Sequence, residues 1–259
     1  MMGFIMGKRG IISLAVAAVV VVAFVLVAVA VFLAPRQGEQ GRPVGVAPRA
    51  RVTEAVFAPL PAAAASNAGP GIIGLVDPAW VAKTADKTGI PAVALRAYAA
   101  ASLDIAANNP KCGISWNTLA GVGWVESHHG TIHGSDLGAN GTVTPPLYGV
   151  ALDGNGFALI PDSDGGAIDG DPKGDRAVGP MQFLPNSWRN WHVDADGDGV
   201  ENPQNIYDAT FAAAHYLCRA GGELQTQDGF RTAVLAYNSS HAYLQDVMDA
   251  AADYARRAR

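Results

Sequence analysis

From Ile11 to Ala34 the chain runs 24 residues without a charge, and Lys8 and Arg9 stand just before the run. As a helix it spans about 36 Å at ~1.5 Å per residue, enough to cross a bilayer with some tilt. A buried core helix is a poor fit, because nothing polar interrupts the run. The run also exceeds the ~7–15 residues of a signal-peptide core, which favours an uncleaved anchor over a signal cleaved after Ala28-Val29-Ala30. Basic residues ahead of the span place residues 1–10 on the cytoplasmic side and the bulk of the chain outside. The expectation is a single-pass protein of the cell membrane, or a secreted one if the segment is cleaved.

Residues 35–71 are rich in Pro, Ala and Gly and keep no apolar period, so they read as a tether. Residues 1–71 hold six basic and two acidic side chains, a net of +4, whereas residues 72–259 hold twelve basic and twenty-one acidic ones, a net of −9. A domain that acidic has no electrostatic footprint for nucleic acid. The 188 residues from 72 to 259 suffice for a single core, expected to be a monomer. Its two cysteines, Cys112 and Cys218, are expected to bridge in an oxidising exterior, with two buried free thiols as the other reading.

Helical signals dominate this domain, and no strand alternation is sustained. Asp77-Pro78 is an N-cap followed by Pro at the first helical position, and Gly89 closes that helix. Pro91 opens a second helix, which Asn108-Asn109-Pro110 stops. The third runs from Ser115, a candidate N-cap, towards Gly130, a candidate C′ residue. On it Leu119, Val122 and Gly123 share a face with Glu126 at a 3.6-residue period. A carboxyl group aimed along an apolar face has its pKa raised by desolvation, which makes Glu126 a candidate proton donor near neutral pH.

Residues 131–178 are dense in Gly, Asp and Pro, and only Phe157 to Ile160 resembles a strand. So long an insertion reads as a wall or lid, or as a surface loop. Further helices are expected over Asp208–Ala220, over Phe230–Tyr237, and from a Ser239 or Ser240 cap through Arg257. The class is mainly α. Asp194-Ala-Asp-Gly-Asp-Gly-Val200 matches the start of an EF-hand loop, with Asp194, Asp196 and Asp198 at positions 1, 3 and 5 and the Val200 carbonyl at 7. Position 12 is Asn205 where Glu is usual, so structural calcium and a solvated Asp/Gly turn both stand open. His128, His129 and His133 could suggest zinc, but no HExxH is present and Gly130 and Gly134 interrupt a helix there, so they read as surface histidines at a cleft mouth.

Three stretches carry a resemblance. They are WNTLAGVGWVESHHG with Cys112 ahead of it, DRAVGPMQFLPNSW ending at Trp188, and AYNSSHAYLQDV from Ala236; NPQNIYDA at 202–209 and YLC at 216–218 support them. Over about residues 72–257 the chain resembles the B-type membrane-bound lytic murein transglycosylases, in the form common to actinobacterial chains. The resemblance implies a lysozyme-like helical domain that cleaves the MurNAc-β-1,4-GlcNAc bond of peptidoglycan glycan strands. It implies a carbon–oxygen lyase leaving a 1,6-anhydromuramoyl end and requiring no cofactor. It also implies that Glu126 acts as acid and then base, with Ser127, Met181, Gln182, Phe183, Tyr237 and Asn238 around the sugars.

Hydrolysing glycosidases use two carboxyl groups, ~5–5.5 Å or ~6.5–9.5 Å apart. The pattern fixes only Glu126, although Asp136, Asp153 and Asp175 in the insertion could approach it. A muramidase using water is therefore the near alternative, a peptidoglycan-binding module without activity is another, and a zinc peptidase is distant.

Overall fold

The computed structural model describes residues 57–67, 69–154 and 159–259. The apolar run from Ile11 to Ala34 lies outside them, and among the described residues no single helix is long and apolar enough to cross a membrane.

Seven α-helices follow in chain order among the described residues: α1 (Pro78–Thr88), α2 (Ala92–Asn108), α3 (Trp116–Ser127), α4 (Pro185–Trp191), α5 (Ile206–Gly221), α6 (Gln227–Tyr237) and α7 (His241–Arg257). Their starts have local causes. The Asp77 carboxylate accepts the Ala79 N–H at the head of α1, Asn205 accepts that of Tyr207 on α5, Thr226 that of Gly229 on α6, and Ser240 that of Tyr243 on α7. Gly89, at φ 75°, ends α1 in the left-handed conformation that glycine adopts without a Cβ penalty. Asn205 starts α5 two residues ahead of the expected Asp208, and α6 begins three residues ahead of Phe230.

The core is built on α2 and α3, both nearly enclosed. Leu95, Tyr98 and Ile105 of α2 meet Trp116, Leu119 and Val122 of α3, with Leu217 of α5 and Phe230 of α6 closing round them. α7 lies antiparallel along α3, with Asn117 donating to the Ala251 carbonyl at one end and Tyr243 reaching Glu126 at the other. Gly121 permits this approach, because a Cβ there would sit 2.8 Å from the Val247 carbonyl oxygen. Cys112 and Cys218 form a disulfide that ties the loop before α3 to α5.

The end of the expected tether belongs to this domain. The Ala58 N–H donates to Asn117, the Trp116 indole donates to the Pro59 carbonyl, and Ala63 pairs with Val76 in an isolated bridge. Pro- and Ala-rich chain has no period to display, yet its backbone groups still find partners once helix ends lie beside it.

The insertion holds one short antiparallel hairpin, β1 (Asp136–Leu137) and β2 (Val143–Thr144), with Asp136 opposite Thr144 and Leu137 opposite Val143. The strand expected at 157–160 lies mostly outside the described residues, and Leu159 makes an isolated bridge to Asp153. Beyond the hairpin, aspartates organise the backbone. Asp162 accepts the N–H groups of Asp164, Gly165 and Gly166, and Asp169 accepts those of Asp171 and Arg176. Those bonds give the described residues of this stretch a defined backbone course through turns.

Candidate active site

Helix α3 stops one residue before the expected position. Ser127 is its last residue, and His128 (φ 49°) and His129 (φ 63°) take left-handed conformations ahead of Gly130. Glu126 therefore sits in the final turn, beside a sharp reversal of the chain. The residue is half-buried, open on one side as a group that meets a substrate must be. The surrounding protein nevertheless desolvates the carboxyl and raises its pKa to about 7. The phenol of Tyr243 donates to Oε1 at 2.5 Å, and this opposes the shift by favouring the charged form. Burial wins, so half of the Glu126 carboxyls carry a proton near neutral pH.

Among the described residues, no second carboxylate enters the balance that sets the Glu126 titration. Of the three aspartates in reach by sequence, Asp175 is held by the N–H and hydroxyl of Ser163, Asp136 lies in β1, and Asp153 bridges to Leu159. The ionisable neighbours of Glu126 are tyrosines. Burial holds Tyr237 and Tyr243 well above the usual phenol range, and the Glu126 charge adds to both shifts. Both stay protonated and remain donors.

Ser127 links α3 to the next part of the site. Its hydroxyl donates to the Pro180 carbonyl at 2.6 Å and accepts the Gly130 N–H. That fixes the tight turn in which Val178 pairs with Phe183. Gln182 closes this turn at φ 49°, a left-handed conformation uncommon for a residue with a Cβ, and its amide donates to the Gly179 carbonyl. Such strained positions cluster at binding sites because they aim a side chain that an ordinary turn would point elsewhere.

Gln182 is the part-exposed member of the Met181-Gln182-Phe183 run. Met181 is fully enclosed, and its carbonyl accepts from the Tyr237 hydroxyl at 2.7 Å. Phe183 packs edge-on against both Trp188 and Tyr237. Met181 thus lies beneath Gln182, out of reach of a sugar, whereas Phe183 shows an edge to the cleft. Asn238 is exposed directly after α6, and its side chain accepts the Ser240 N–H ahead of α7.

Tyr216 is an addition from the structure. It packs edge-on against Tyr237 and Trp191 and donates to the Ala236 carbonyl. With Gln182, Phe183, Leu184, Ser187 and Tyr237 it lines an open pocket. Tyr243 is the second addition. Its place on the inner stripe of α7 looks, in sequence, like that of any core tyrosine.

The acidic loop at 194–200 differs from its expected ligand set. The carboxylate oxygens that converge, within 4.8 Å of one another, come from Asp194, Asp196 and Asp208. Asp198 turns to the Val200 N–H, and Asn205 uses its oxygen to cap α5 while its amide donates to Asp196. Asp208 is fully buried, and that burial raises its pKa to about 7. Three hard oxygen donors, two of them buried, match the chemistry of a calcium site.

The three histidines separate. His128 stacks on Trp124 at 4.1 Å, His133 is exposed, and His129 is buried, against the expectation of three surface residues. Among the described residues, the groups able to hold a metal contain aspartates alone.

Fold and site together define a helical domain with one protonatable glutamate at the end of its central helix, beside a cleft walled by glutamine and tyrosines. Residues 167–231 match the transglycosylase SLT domain family. No curated protein and no solved structure matches the chain. Over that segment the chain is similar to a transglycosylase SLT domain, a similarity that implies a lytic transglycosylase enzyme family and binding to peptidoglycan. The match takes in Gln182, Tyr216 and the acidic loop, begins after Glu126 and ends before Tyr237.

Proposed function

We propose that the protein is a peptidoglycan lytic transglycosylase in which Glu126 serves as acid and then as base. The observation that carries this reading is the Glu126 carboxyl, held at a pKa of about 7 by burial with Tyr243 on Oε1 and, among the described residues, no second carboxylate in the balance. A carboxyl poised at its working pH can both give and take a proton in one cycle.

The Tyr243 donation decides which oxygen acts. An oxygen that accepts a hydrogen bond in the neutral acid is the carbonyl oxygen, so the proton sits on Oε2. Oε2 gives this proton to the glycosidic oxygen as the bond from the muramoyl anomeric carbon breaks. The carboxylate then takes the proton of the muramoyl C6 hydroxyl while its oxygen bonds to that carbon, and a 1,6-anhydro ring closes. Water is not consumed, and the carboxyl ends as it began. Gln182 would hold the glycan by hydrogen bonding, with Met181 beneath it, an edge of Phe183 in the cleft, Tyr216 and Tyr237 beside it and Asn238 at the rim.

Calcium at Asp194, Asp196 and Asp208 is part of the proposal, as an ion that braces the loop ahead of α5. So is the location: a domain outside the membrane, anchored through the apolar run at 11–34. Mass spectrometry of muropeptides released from purified peptidoglycan tests the activity. Anhydromuramoyl ends are expected; reducing ends would make the protein a muramidase, and unchanged glycan would leave only a binding module.

A further inference from the structure

His129 has no part in the proton transfers above, yet it is buried three residues beyond Glu126. Its ring lies between two phenols, with Nδ1 2.9 Å from the Tyr98 hydroxyl of α2 and Nε2 2.8 Å from the Tyr254 hydroxyl of α7. Tyr98 is fully buried, so its hydroxyl proton has His129 Nδ1 as its acceptor. Nε2 then carries the ring proton and donates to Tyr254. The bridge has a direction, from α2 through the end of α3 to α7.

Three features show that the surrounding chain is shaped round this bridge. His129 holds a left-handed φ of 63°, next to His128 at 49°, where side chains with a Cβ are uncommon. Its own N–H turns back to the Gly123 carbonyl, so the ring lies alongside the helix that carries Glu126. Gly123 leaves the passage for Tyr98, because a Cβ there would stand 2.1 Å from the phenolic oxygen.

Helix α7 makes the connection to Glu126. Tyr243 and Tyr254 are eleven residues apart, which is close to three whole turns, so both project from one face about 16 Å apart along the axis. One phenol touches Glu126 and the other touches His129. Sliding or rolling α7 against α3 breaks both contacts together.

We propose that His129 is a positioning residue for Glu126: the Tyr98–His129–Tyr254 bridge fixes the register of α7 against α3 at which Tyr243 reaches the Glu126 carboxyl. Burial, with the neighbouring His128 adding to it, lowers the His129 pKa to about 3, so the ring stays neutral through the range in which Glu126 titrates. The titratable groups facing Glu126 are Tyr243 of α7 and Tyr237 of α6. Those facing His129 are Tyr98, Tyr254 and His128, and Asp253 and Arg257 act on Tyr254 from α7.

The test compares wild type with His129→Phe, which removes both hydrogen bonds, with Tyr254→Phe, which removes one at small cost in packing, and with His129→Gln as the conservative replacement. In full-length protein the Glu126 carboxyl is titrated by 13C NMR, its resonance assigned through Glu126→Gln, and melting temperature and glycan cleavage are measured alongside. The NMR readout is independent of the proposed activity, on which only the kinetic readout rests. Loss of the bridge takes the Tyr243 phenol off Oε1 and with it the contribution that lowers the Glu126 pKa, so in His129→Phe that pKa rises by about one pH unit above the wild-type value. Activity falls roughly tenfold in kcat with KM nearly unchanged, as loss of an interaction used in the transition state requires. Tyr254→Phe gives a smaller shift in the same direction, and His129→Gln recovers part of it.

A lowered melting temperature with an unmoved Glu126 titration would overturn the proposal and leave His129 a packing residue. If His129→Phe fails to fold, the Tyr254→Phe titration decides by the same criterion. If wild-type protein cleaves no glycan, the proposed activity falls, while the NMR shift still decides the role of His129.

Discussion

Tyr243, the third residue of α7, donates its phenolic proton to Oε1 of Glu126, in the last turn of α3. The bond favours the charged carboxylate, so it works against the burial that raises the Glu126 pKa. A tyrosine that lowers the pKa of an acid it helps to aim has separable effects on pH dependence and on rate.

Tyr243→Phe removes the lowering contribution and leaves burial in place. The Glu126 pKa then rises above about 7, and the alkaline limb of the pH–rate profile moves to higher pH. The proton is also no longer confined to Oε2, so kcat drops by roughly 10–100-fold, the scale of one lost transition-state hydrogen bond. A pH–kcat series on soluble glycan strands checks both effects; a limb moving to lower pH would contradict the assignment of Tyr243 as donor.

Glu126→Gln abolishes cleavage, and its effect on stability has a definite sign. The carboxyl titrates near 4.5 unfolded and at about 7 folded, so below 4.5 both states are protonated and the group costs nothing. As pH rises from 4.5 to about 7 the unfolded chain ionises first, and stability falls, because the native state binds more protons. With partial solvent access discounted, the loss is on the order of 2 kcal/mol above pH 7. Thermal melts should show Glu126→Gln more stable than wild type at pH 8 and equal to it at pH 4.

The 3.6-residue period placed Glu126 on an apolar face, and the structure finds its carboxyl desolvated as that reading requires. Asp77-Pro78 and Ser240 announced α1 and α7, because capping is chemistry between near neighbours. What stayed hidden depends on contacts distant in sequence. Tyr243 lies 117 residues from Glu126, and nothing local separates a tyrosine that faces a carboxyl from one that fills a core. His129 read as a surface residue because no HExxH is present and Gly130 and Gly134 interrupt a helix there; two tyrosines from other helices bury it. Residues 57–67 lacked a period, yet Asn117 and Trp116 fix their backbone. Asp208 fell outside the loop pattern because α5, not the loop, delivers it.

The disulfide closes a loop with a sequence separation of 106. In the chain-entropy description, opening a loop of that size costs about 4–5 kcal/mol, with native strain taken as small. Cys112→Ala with Cys218→Ala should lower the melting temperature by roughly 10 °C for a domain of this size. Reducing agent should do the same to wild type and nothing to the double variant. Equal melting of wild type with and without reductant would remove the bridge from the account of stability.

Calcium binding should follow the titration of the acidic loop. Burial raises Asp208 to about 7 and also raises Asp196, so both must lose their protons before an ion can be held. Affinity for Ca²⁺ therefore rises as pH climbs through 7 and weakens below it. Asp208→Asn, which keeps the shape and removes the charge, should weaken binding at least tenfold, the scale of one lost charged ligand. Asp198→Asn should do little, because its carboxylate stands outside the group of converging oxygens. Calorimetry at pH 8 and pH 5.5, with melting temperatures at matched Ca²⁺, separates these outcomes. A response lost in Asp198→Asn and kept in Asp208→Asn would restore the ligand set of an ordinary EF-hand loop and displace Asp208 from the site.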